Sequence, residues 1–263
     1  MSNQRNNSGV QLSASNWLED HHNAKKELRY HFAKKIAEFQ PKSIVDIGCG
    51  TGLWLSVFND ILPKDCKFIG VDLDPSSLNE ARKRSSNWER ECEWKAIDIN
   101  KEPEAIPVAD LALIFNFSSY IEDLELFFSS ISQERGFKGI ALRQFAGDEI
   151  KFGPFNPNEH EAIASSLKNS IGSSNQIRYY DMDRLIEVAL KTGRTPLIRD
   201  FELYKSFSPF TVNSWPYIKG TAEWTADRMP KHEKNLIHNW LTRAAENDSS
   251  LYFFSLDWIA LLS

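Results

Sequence analysis

The sequence has few cysteines, no long apolar run and no excess of basic residues, and each lack excludes a class of protein. Its three cysteines, Cys49, Cys66 and Cys92, form no C-x-x-C pair, which argues against a disulfide framework and against a zinc site. No apolar stretch approaches the ~20 residues that a membrane helix needs. With a net charge of -5, the chain lacks the basic balance of a free-standing nucleic-acid binder.

We therefore expect a cytoplasmic protein with reduced thiols and without a metal ion, a membrane partner or a nucleic-acid partner. The polar stretch MSNQRNNSGVQLSAS predicts a disordered tail over residues 1–15. Residues 16–263 predict a single domain, since no linker and no internal repeat divides them. The composition leaves the oligomeric state open between a monomer and a homodimer.

Apolar β-forming runs and amphipathic segments alternate through the first 145 residues. SIVDIG, KFIGVDLD, CEWKAIDI, ADLALIFNF and KGIALRQF have the composition of strands, with helical patterns between them. This alternation predicts an α/β fold of the Rossmann-like kind, a parallel sheet with helices on both faces. Ahead of the first strand, residues 16–39 predict one N-terminal helix.

The second half adds further elements to this pattern. NPNEHEAIASSLKNSI, DMDRLIEVALKTG and KHEKNLIHNWLTRAA predict helices, whereas TPLIRDFELYKSF and SLYFFSLDWIALL predict the sixth and the last strand. Between the sixth strand and the last helix, Pro209, Asn213, Pro216 and Gly220 predict a loop. Because this loop is rich in aromatic residues, we expect it to form a lid over a binding pocket.

The stretch SIVDIGCGTG predicts a ligand site at the end of the first strand. Glycines at 48, 50 and 52 allow a tight turn and a close approach of a ligand to the following helix. Asp72, 20 residues past Gly52, is placed to take the hydroxyls of a ribose. A dinucleotide fingerprint requires glycine at position 53, where the chain has leucine, and the carboxylate of Asp46 favours a cationic ligand over a pyrophosphate.

These motifs resemble those of the class I S-adenosylmethionine-dependent methyltransferases. VDIGCGTG is similar to the first motif of that family, GVDLDP to the second, KAIDIN to the third and ADLALIFNFSSYIED to the fourth, all within a cofactor half at 43–145. The resemblance implies a seven-stranded sheet with an antiparallel last strand, and S-adenosyl-L-methionine as the cofactor. Asp74 departs from the serine that is frequent in the second motif, and we expect this acid to cap a helix.

The resemblance also implies which residues contact the cofactor. The candidates are Asp46, Gly48, Cys49, Gly50, Gly52, Asp72, Leu73, Asp98, Ile99, Asn116, Phe117 and, on the N-terminal helix, Arg29. In this assignment Asp98 meets the adenine and Arg29 pairs with the methionine carboxylate. The residues themselves leave alternatives open: Asp98 as a surface acid, Asn116 as the cap of a strand, and Arg29 on a solvated helix face.

The acceptor pocket is expected from residues 16–40, 146–180 and 206–248. Aromatic residues in or near these segments are the candidates for substrate contacts: Tyr120, Phe155, Tyr179, Trp215, Tyr217 and Trp224. Methyl transfer is an in-line displacement that needs alignment and, for some acceptors, removal of a proton. The candidates for that catalytic base are His160, His21 and Tyr120. For each of these residues, packing or simple exposure is the alternative.

The sequence thus predicts an S-adenosylmethionine-dependent enzyme that methylates an oxygen or nitrogen of a small, aromatic or apolar metabolite, as in secondary metabolism. A methyltransferase that acts on RNA or protein is one alternative, but the acidic pI and the stretch NFSS, which lacks the proline and aromatic residue of base-amino methylation, count against it. The other alternative is a non-catalytic partner protein with a methyltransferase fold. The intact glycines and the acids at 46 and 72 argue against it.

Overall fold

A computed structural model describes residues 15–132, 136–173 and 182–263. Its seven strands form one sheet in the order β3-β2-β1-β4-β5-β7-β6. The strands are β1 Ser43–Ile47, β2 Lys67–Asp72, β3 Cys92–Ala96, β4 Leu111–Phe115, β5 Gly139–Gly153, β6 Pro196–Phe207 and β7 Tyr252–Leu262. Neighbours among β1–β5 pair in parallel, and β7 runs antiparallel between β5 and β6. The predicted fold class, with its antiparallel last strand, is confirmed.

Nine α-helices are described. They are α1 Ser15–Ala24, α2 Lys26–Ala37, α3 Leu53–Ile61, α4 Pro75–Arg84, α5 Leu124–Ser132, α6 Pro157–Ser173, α7 Met182–Lys191, α8 Trp215–Ala226 and α9 Lys231–Ala245. As expected, Asp74 caps α4: its carboxylate accepts hydrogen bonds from the backbone N–H groups of Ser76 and Ser77, both at 3.0 Å. None of the helices in the described ranges is long and apolar enough to cross a membrane.

Alternating residues of the strands build cores on both faces of the sheet. Ile114 and Leu142 face a core shared with α5 and α7, whereas Phe68 and Leu113 face a core shared with α2 and α3. The distal halves of β5 and β7 extend past the parallel sheet and pack against α6, α8 and α9 in a third cluster. The turn after β1 contacts α1, and the turn after β4 lines a cleft together with α1 and α8.

Two elements differ from the sequence prediction. The single N-terminal helix expected over residues 16–39 is two helices, because Lys25 leaves helical geometry at φ -101° and ψ 17° and its side chain enters the core. The lid segment, predicted as a loop, contains helix α8, in which Pro216 occupies the first turn where its missing N–H is tolerated. The division of the chain into a tail and one domain stays a prediction, and residues 1–14 lie outside the described ranges.

Candidate functional site

The glycine loop between β1 and α3 has the backbone that its sequence predicts. Gly48, Gly50 and Gly52 have φ values of +76°, +52° and +75°, a left-handed region that residues with a Cβ rarely occupy. The backbone N–H groups of Gly48 and Cys49 both donate to the carbonyl of Val71, at 2.8 and 3.0 Å. The loop is therefore fixed to the end of β2, next to Asp72.

Two carboxylates lie at this loop. Asp72 accepts hydrogen bonds from the backbone N–H groups of Gly50 at 2.8 Å and Asp74 at 2.9 Å. Burial raises the pKa of Asp72, and these N–H donors oppose the rise. Asp46 is buried, and its Oδ2 has no hydrogen-bond partner among the described residues. Burial, and next the charge of Asp72, raise the pKa of Asp46 to about 8, so this pair favours a bound cation.

The other candidates from the first three motifs lie in different environments. Cys49 is buried with the pKa of its thiol raised by burial, and its Sγ packs against Gly70. Leu73 is exposed and follows β2 directly. The Asp98 carboxylate pairs with Lys101 at 2.8 Å, whereas Ile99 is buried in the core of the sheet. Their contacts with a cofactor stay predictions.

The fourth motif contributes a strained turn and two stacked rings. Asn116 has a φ of +53°, and its side-chain oxygen accepts a hydrogen bond from the backbone N–H of Phe145 at 2.9 Å. The Phe117 ring lies directly on the glycine loop: a Cβ on Gly48 would be 2.1 Å from its Cδ2. Tyr120 stacks on Phe117 with ring centroids 5.6 Å apart. The motif thus joins the ends of β4 and β5 to the glycine loop.

Helix α1 covers the glycine loop from the other side. The Cδ1 of Leu18 lies 3.5 Å from the position of a Cβ on Gly50. Arg84 ties α1 to the loop, because its Nε donates to the carbonyl of Thr51 at 2.9 Å and its Nη2 pairs with Glu19 at 2.9 Å. A ligand on the glycine loop would therefore contact α1.

Arg29 is buried beside this helix, so the solvated-face alternative for it is wrong. Its Nη1 lies 2.6 Å from Nδ1 of His22, and its guanidinium stacks on Trp54 at 4.9 Å from the ring centroid. Its Nε is buried without a hydrogen-bond partner in the described ranges. Burial, then the charge of Arg143, lower the pKa of Arg29 to about 9. Burial and the Arg29 charge lower the pKa of His22 to about 3, which keeps that imidazole neutral.

A buried ionic network extends from Arg29 into the sheet. Lys25 pairs with Asp257 at 2.5 Å, and Arg143 pairs with Asp257 at 3.0 Å and with Glu202 at 3.1 Å. Burial raises the pKa of Asp257, but the charges of Arg143 and Lys25 lower it. The pKa of Asp257 therefore lies below its ordinary value. The sequence analysis missed this network. Its signal is a charged residue inside an otherwise apolar strand, as in IALRQF and SLDWIAL.

A cleft that opens to solvent lies between α1, the turn after β4, β5 and α8. Its walls are mainly apolar. It is lined by Leu18, His21, Asn116, Tyr120, Gln144, Phe145, Ile150, Tyr217, Thr221 and Trp224. Thus Tyr120, Tyr217 and Trp224 of the substrate candidates and His21 of the base candidates come together. The sequence analysis missed Thr221, which lies one helical turn after Tyr217 and one before Trp224 on α8.

The imidazole of His21 forms part of the cleft wall. It stacks on Tyr217 with ring centroids 4.9 Å apart, and its Nε2 is buried without a hydrogen-bond partner in the described part of the chain. Burial, followed by the charges of Lys25 and Arg29, holds the pKa of His21 well below its ordinary value. Burial likewise raises the pKa of Tyr217, whose hydroxyl lies 3.2 Å from that of Ser255. Both side chains are therefore neutral at physiological pH.

Three of the described candidates, His160, Phe155 and Trp215, are not among the residues that line the cleft. His160 contacts the Phe155 ring, with centroids 5.7 Å apart, and lies 3.5 Å from the hydroxyl of Tyr252. Trp215 stacks on Phe210 and packs against the third core cluster, because it begins α8 on the face opposite the cleft. Tyr179 lies outside the described residues. Within the described residues, no cluster of side chains is able to hold a metal ion.

Comparisons with known proteins find similarity in part of the sequence and in the fold. Residues 45–133 match the model of a family described as a methyltransferase domain. A malonyl-[acyl-carrier protein] O-methyltransferase from Anoxybacillus flavithermus is 25% identical over 126 residues, which are 48% of this chain and 47% of that protein. The chain thus matches about half the length of this curated relative.

Two solved structures share the fold. A methyltransferase from Bacillus halodurans aligns with a TM-score of 0.50 at 12% identity, over 84% of this chain and 91% of that one. Phosphoethanolamine N-methyltransferase 2 from Haemonchus contortus, solved with phosphomonomethylethanolamine and S-adenosylhomocysteine, aligns with a TM-score of 0.53 at 15% identity. That alignment spans 95% of this chain and 58% of the other. The chain thus matches a methyltransferase domain over residues 45–133 and shares the fold of these two methyltransferase structures.

Proposed function

We propose that this protein transfers a methyl group from S-adenosylmethionine to a small molecule bound in the cleft between α1, β5 and α8. The observation behind the proposal is that the glycine loop and the cleft share walls. Leu18 both lines the cleft and covers Gly50, and Asn116 lines the cleft at the end of β4. A donor on the loop and an acceptor in the cleft would therefore be neighbours, which is what an in-line displacement needs.

The residues at the loop fit the charges of S-adenosylmethionine. Asp46 offers an unpartnered buried carboxylate oxygen for the ammonium group, and Asp72 stands at the end of β2 for the ribose. Arg29 offers an unpartnered Nε and a buried positive charge for the carboxylate. When bound, this cofactor supplies a methyl group that its sulfonium already activates. The chain's own residues bind, align and exclude water.

Calorimetric titration with S-adenosylmethionine and S-adenosylhomocysteine tests the proposal. We expect both to bind the wild-type protein, and we expect Asp72→Ala to weaken binding by at least about tenfold, or about 1.4 kcal/mol. Asp148→Ala, which removes an exposed acid from the β5 bulge, is the matched control and should bind as the wild type does. A folded protein that binds neither compound would refute the proposal.

Less than half of the chain aligns with the curated relative, so the acceptor class is inferred from the cleft itself. The apolar cleft favours a small acceptor with an aromatic or aliphatic body, since Phe145, Ile150 and Trp224 offer it contact surface. Mass-spectrometric screening of phenols, acids and amines with S-adenosylmethionine would identify the acceptor by its gain of one methyl group.

A further inference from the structure

Neither His21 nor Tyr217 of the cleft wall is an effective general base. Among the described residues, none that lines the cleft is a carboxylate, a lysine or an arginine. His21 is a weak base, because burial and nearby cations depress its pKa, and the Tyr217 hydroxyl keeps its proton because burial raises its pKa. An acceptor that must lose a proton to the protein during methylation therefore finds no matched partner among these two side chains.

The charge behind the wall is positive. Lys25 Nζ lies 5.0 Å from the Phe145 ring centroid and 5.3 Å from that of Tyr217, and both rings line the cleft. The buried cluster holds three cations, Lys25, Arg29 and Arg143, against two carboxylates, Asp257 and Glu202.

The three cations exceed the two carboxylates by one positive charge, and His21 and His22 are neutral. S-adenosylmethionine carries two positive groups, the ammonium and the sulfonium, against one carboxylate, so a bound cofactor adds to this positive excess and does not cancel it. Buried charges are screened less than surface charges, so the excess acts on the cleft.

We propose that the methyl acceptor binds in this cleft as an organic oxyanion, a carboxylate or a phenolate, attached to an apolar body. The proposal rests on the proposed function and names its substrate class. The buried cations attract the oxygen, and the apolar walls exclude water from it. No proton has to be removed, because the nucleophile arrives deprotonated.

Methyl transfer to an oxyanion needs no base. The oxyanion oxygen forms a bond to the methyl carbon as the carbon–sulfur bond breaks, and the sulfur keeps the electron pair of that bond. An anion and a sulfonium cation become a methyl ester or ether and a neutral thioether. Asn116 and Gln144 are the amide side chains of the cleft wall and offer polar groups for orienting the acceptor.

Binding of three matched probes tests the charge preference directly. Benzoate, benzamide and benzylamine share one ring and differ in charge, and each is titrated into the protein saturated with sinefungin, an unreactive S-adenosylmethionine analogue with a cationic amine. We expect benzoate to bind at least about tenfold more tightly than benzamide. Benzylamine should bind most weakly. Equal affinities, tighter binding of the amide or amine, or no binding of benzoate would overturn the proposal.

Two substitutions of Thr221 provide matched variants of the cleft wall, one charged and one neutral. Thr221→Asp and Thr221→Asn alter the shape of the cleft equally, but only the former adds a negative charge next to the bound oxygen. We expect the benzoate-to-benzamide affinity ratio to fall to about one or below in Thr221→Asp and to stay well above one in Thr221→Asn. A ratio that is the same in both variants would contradict the proposal.

Two further measurements distinguish a phenolate site from a carboxylate site, and failure of the charge preference from failure of cofactor binding. para-Nitrophenol, whose phenolate alone absorbs visible light, should gain visible absorbance on binding if phenolates are accepted, whereas benzoate alone should bind if the site is restricted to carboxylates. Sinefungin affinity is measured independently. If sinefungin fails to bind, the proposed function fails, and the probe ratio in the ligand-free protein still decides the charge preference.

Discussion

At the scale of single residues, Gly48 has two independent reasons to be glycine. Its φ of +76° is left-handed, and a Cβ would collide with the Phe117 ring at 2.1 Å. Gly193 has almost the same φ, +74°, but nothing lies within 4 Å of the corresponding Cβ position. The pair therefore separates backbone strain from loss of the space above the glycine loop.

We expect Gly193→Ala to lower the free energy of unfolding by about 1–2 kcal/mol through the left-handed conformation, and Gly48→Ala to lower it by more, because its Cβ must also displace the Phe117 ring. Only Gly48→Ala should also weaken S-adenosylmethionine binding, by at least about tenfold, because Phe117 must move. Urea unfolding and calorimetric titration of both variants measure the two effects. Equal cofactor affinity in the two folded variants would argue against a ligand site at this loop.

Asp46 predicts a pH dependence of cofactor binding. Its pKa of about 8 in the ligand-free protein leaves it mostly protonated at pH 7, whereas a bound ammonium group favours its carboxylate form. Affinity for S-adenosylmethionine should therefore rise between pH 6 and pH 8, by at most about tenfold per pH unit, with release of a proton. Titrations in buffers of different ionisation enthalpy measure that proton. Asp46→Asn should bind more weakly and abolish the release; an unchanged release would exclude Asp46 as its source.

At the scale of the elements, the break between α1 and α2 places a lysine in the core. Lys25 and Asp257 are both fully buried, whereas Lys42 and Asp65 form an exposed pair at 3.0 Å. Removing one partner of a buried pair leaves an incompletely compensated charge, while an exposed pair contributes little. The two pairs thus offer a matched comparison of the same substitution.

Lys25→Met should lower the free energy of unfolding by about 3 kcal/mol, since Asp257 keeps only Arg143 as its partner. Lys42→Met should change it by less than about 1 kcal/mol. Urea unfolding at neutral pH provides both values. A Lys25→Met protein as stable as Lys42→Met would show that α1 and α2 are held together by apolar packing alone.

At the scale of the whole molecule, the buried network connects α1 and α2 to the distal half of the sheet. His22 takes part through Arg29, with its pKa lowered to about 3 in the folded protein from an ordinary value of 6.5. Between these two pH values the unfolded chain binds a proton that the folded chain does not. The His22 contribution to stability is therefore present above pH 6.5 and is lost as the pH falls towards 3.

We expect His22→Asn to flatten the acid limb of the stability curve, because asparagine does not titrate and its amide oxygen still accepts from Arg29. The loss of urea midpoint on going from neutral to mildly acidic pH should be smaller in the variant than in the wild type. His31, a histidine on the exposed side of α2, provides the control His31→Asn, which should leave that loss unchanged. Identical losses in all three proteins would contradict the buried neutral state of His22.

The sequence by itself determined the order of strands and helices and the turn at the glycine loop, whereas the antiparallel last strand was implied by the resemblance of its motifs to a known family. Buried strands need apolar β-forming residues, and the three left-handed positions need glycine. Local composition therefore predicts the strands and the turn. Asp46 and Asp72 were likewise placed at the ends of β1 and β2 by the motifs that contain them. Their contacts with a cofactor remain predictions.

Only the tertiary structure decided which residues meet at the cleft. Gln144, Ile150 and Thr221 lie on three different stretches of chain and have no local signal of their own. The same is true of the network of Lys25, Arg143 and Asp257, whose partners are separated by more than a hundred residues. Helix periodicity reports which side of a helix is apolar, but a lysine that leaves the helix to reach a buried carboxylate is determined by its distant partner. Long-range pairing of this kind follows from the packing of the sheet and not from the spacing of residues along the chain.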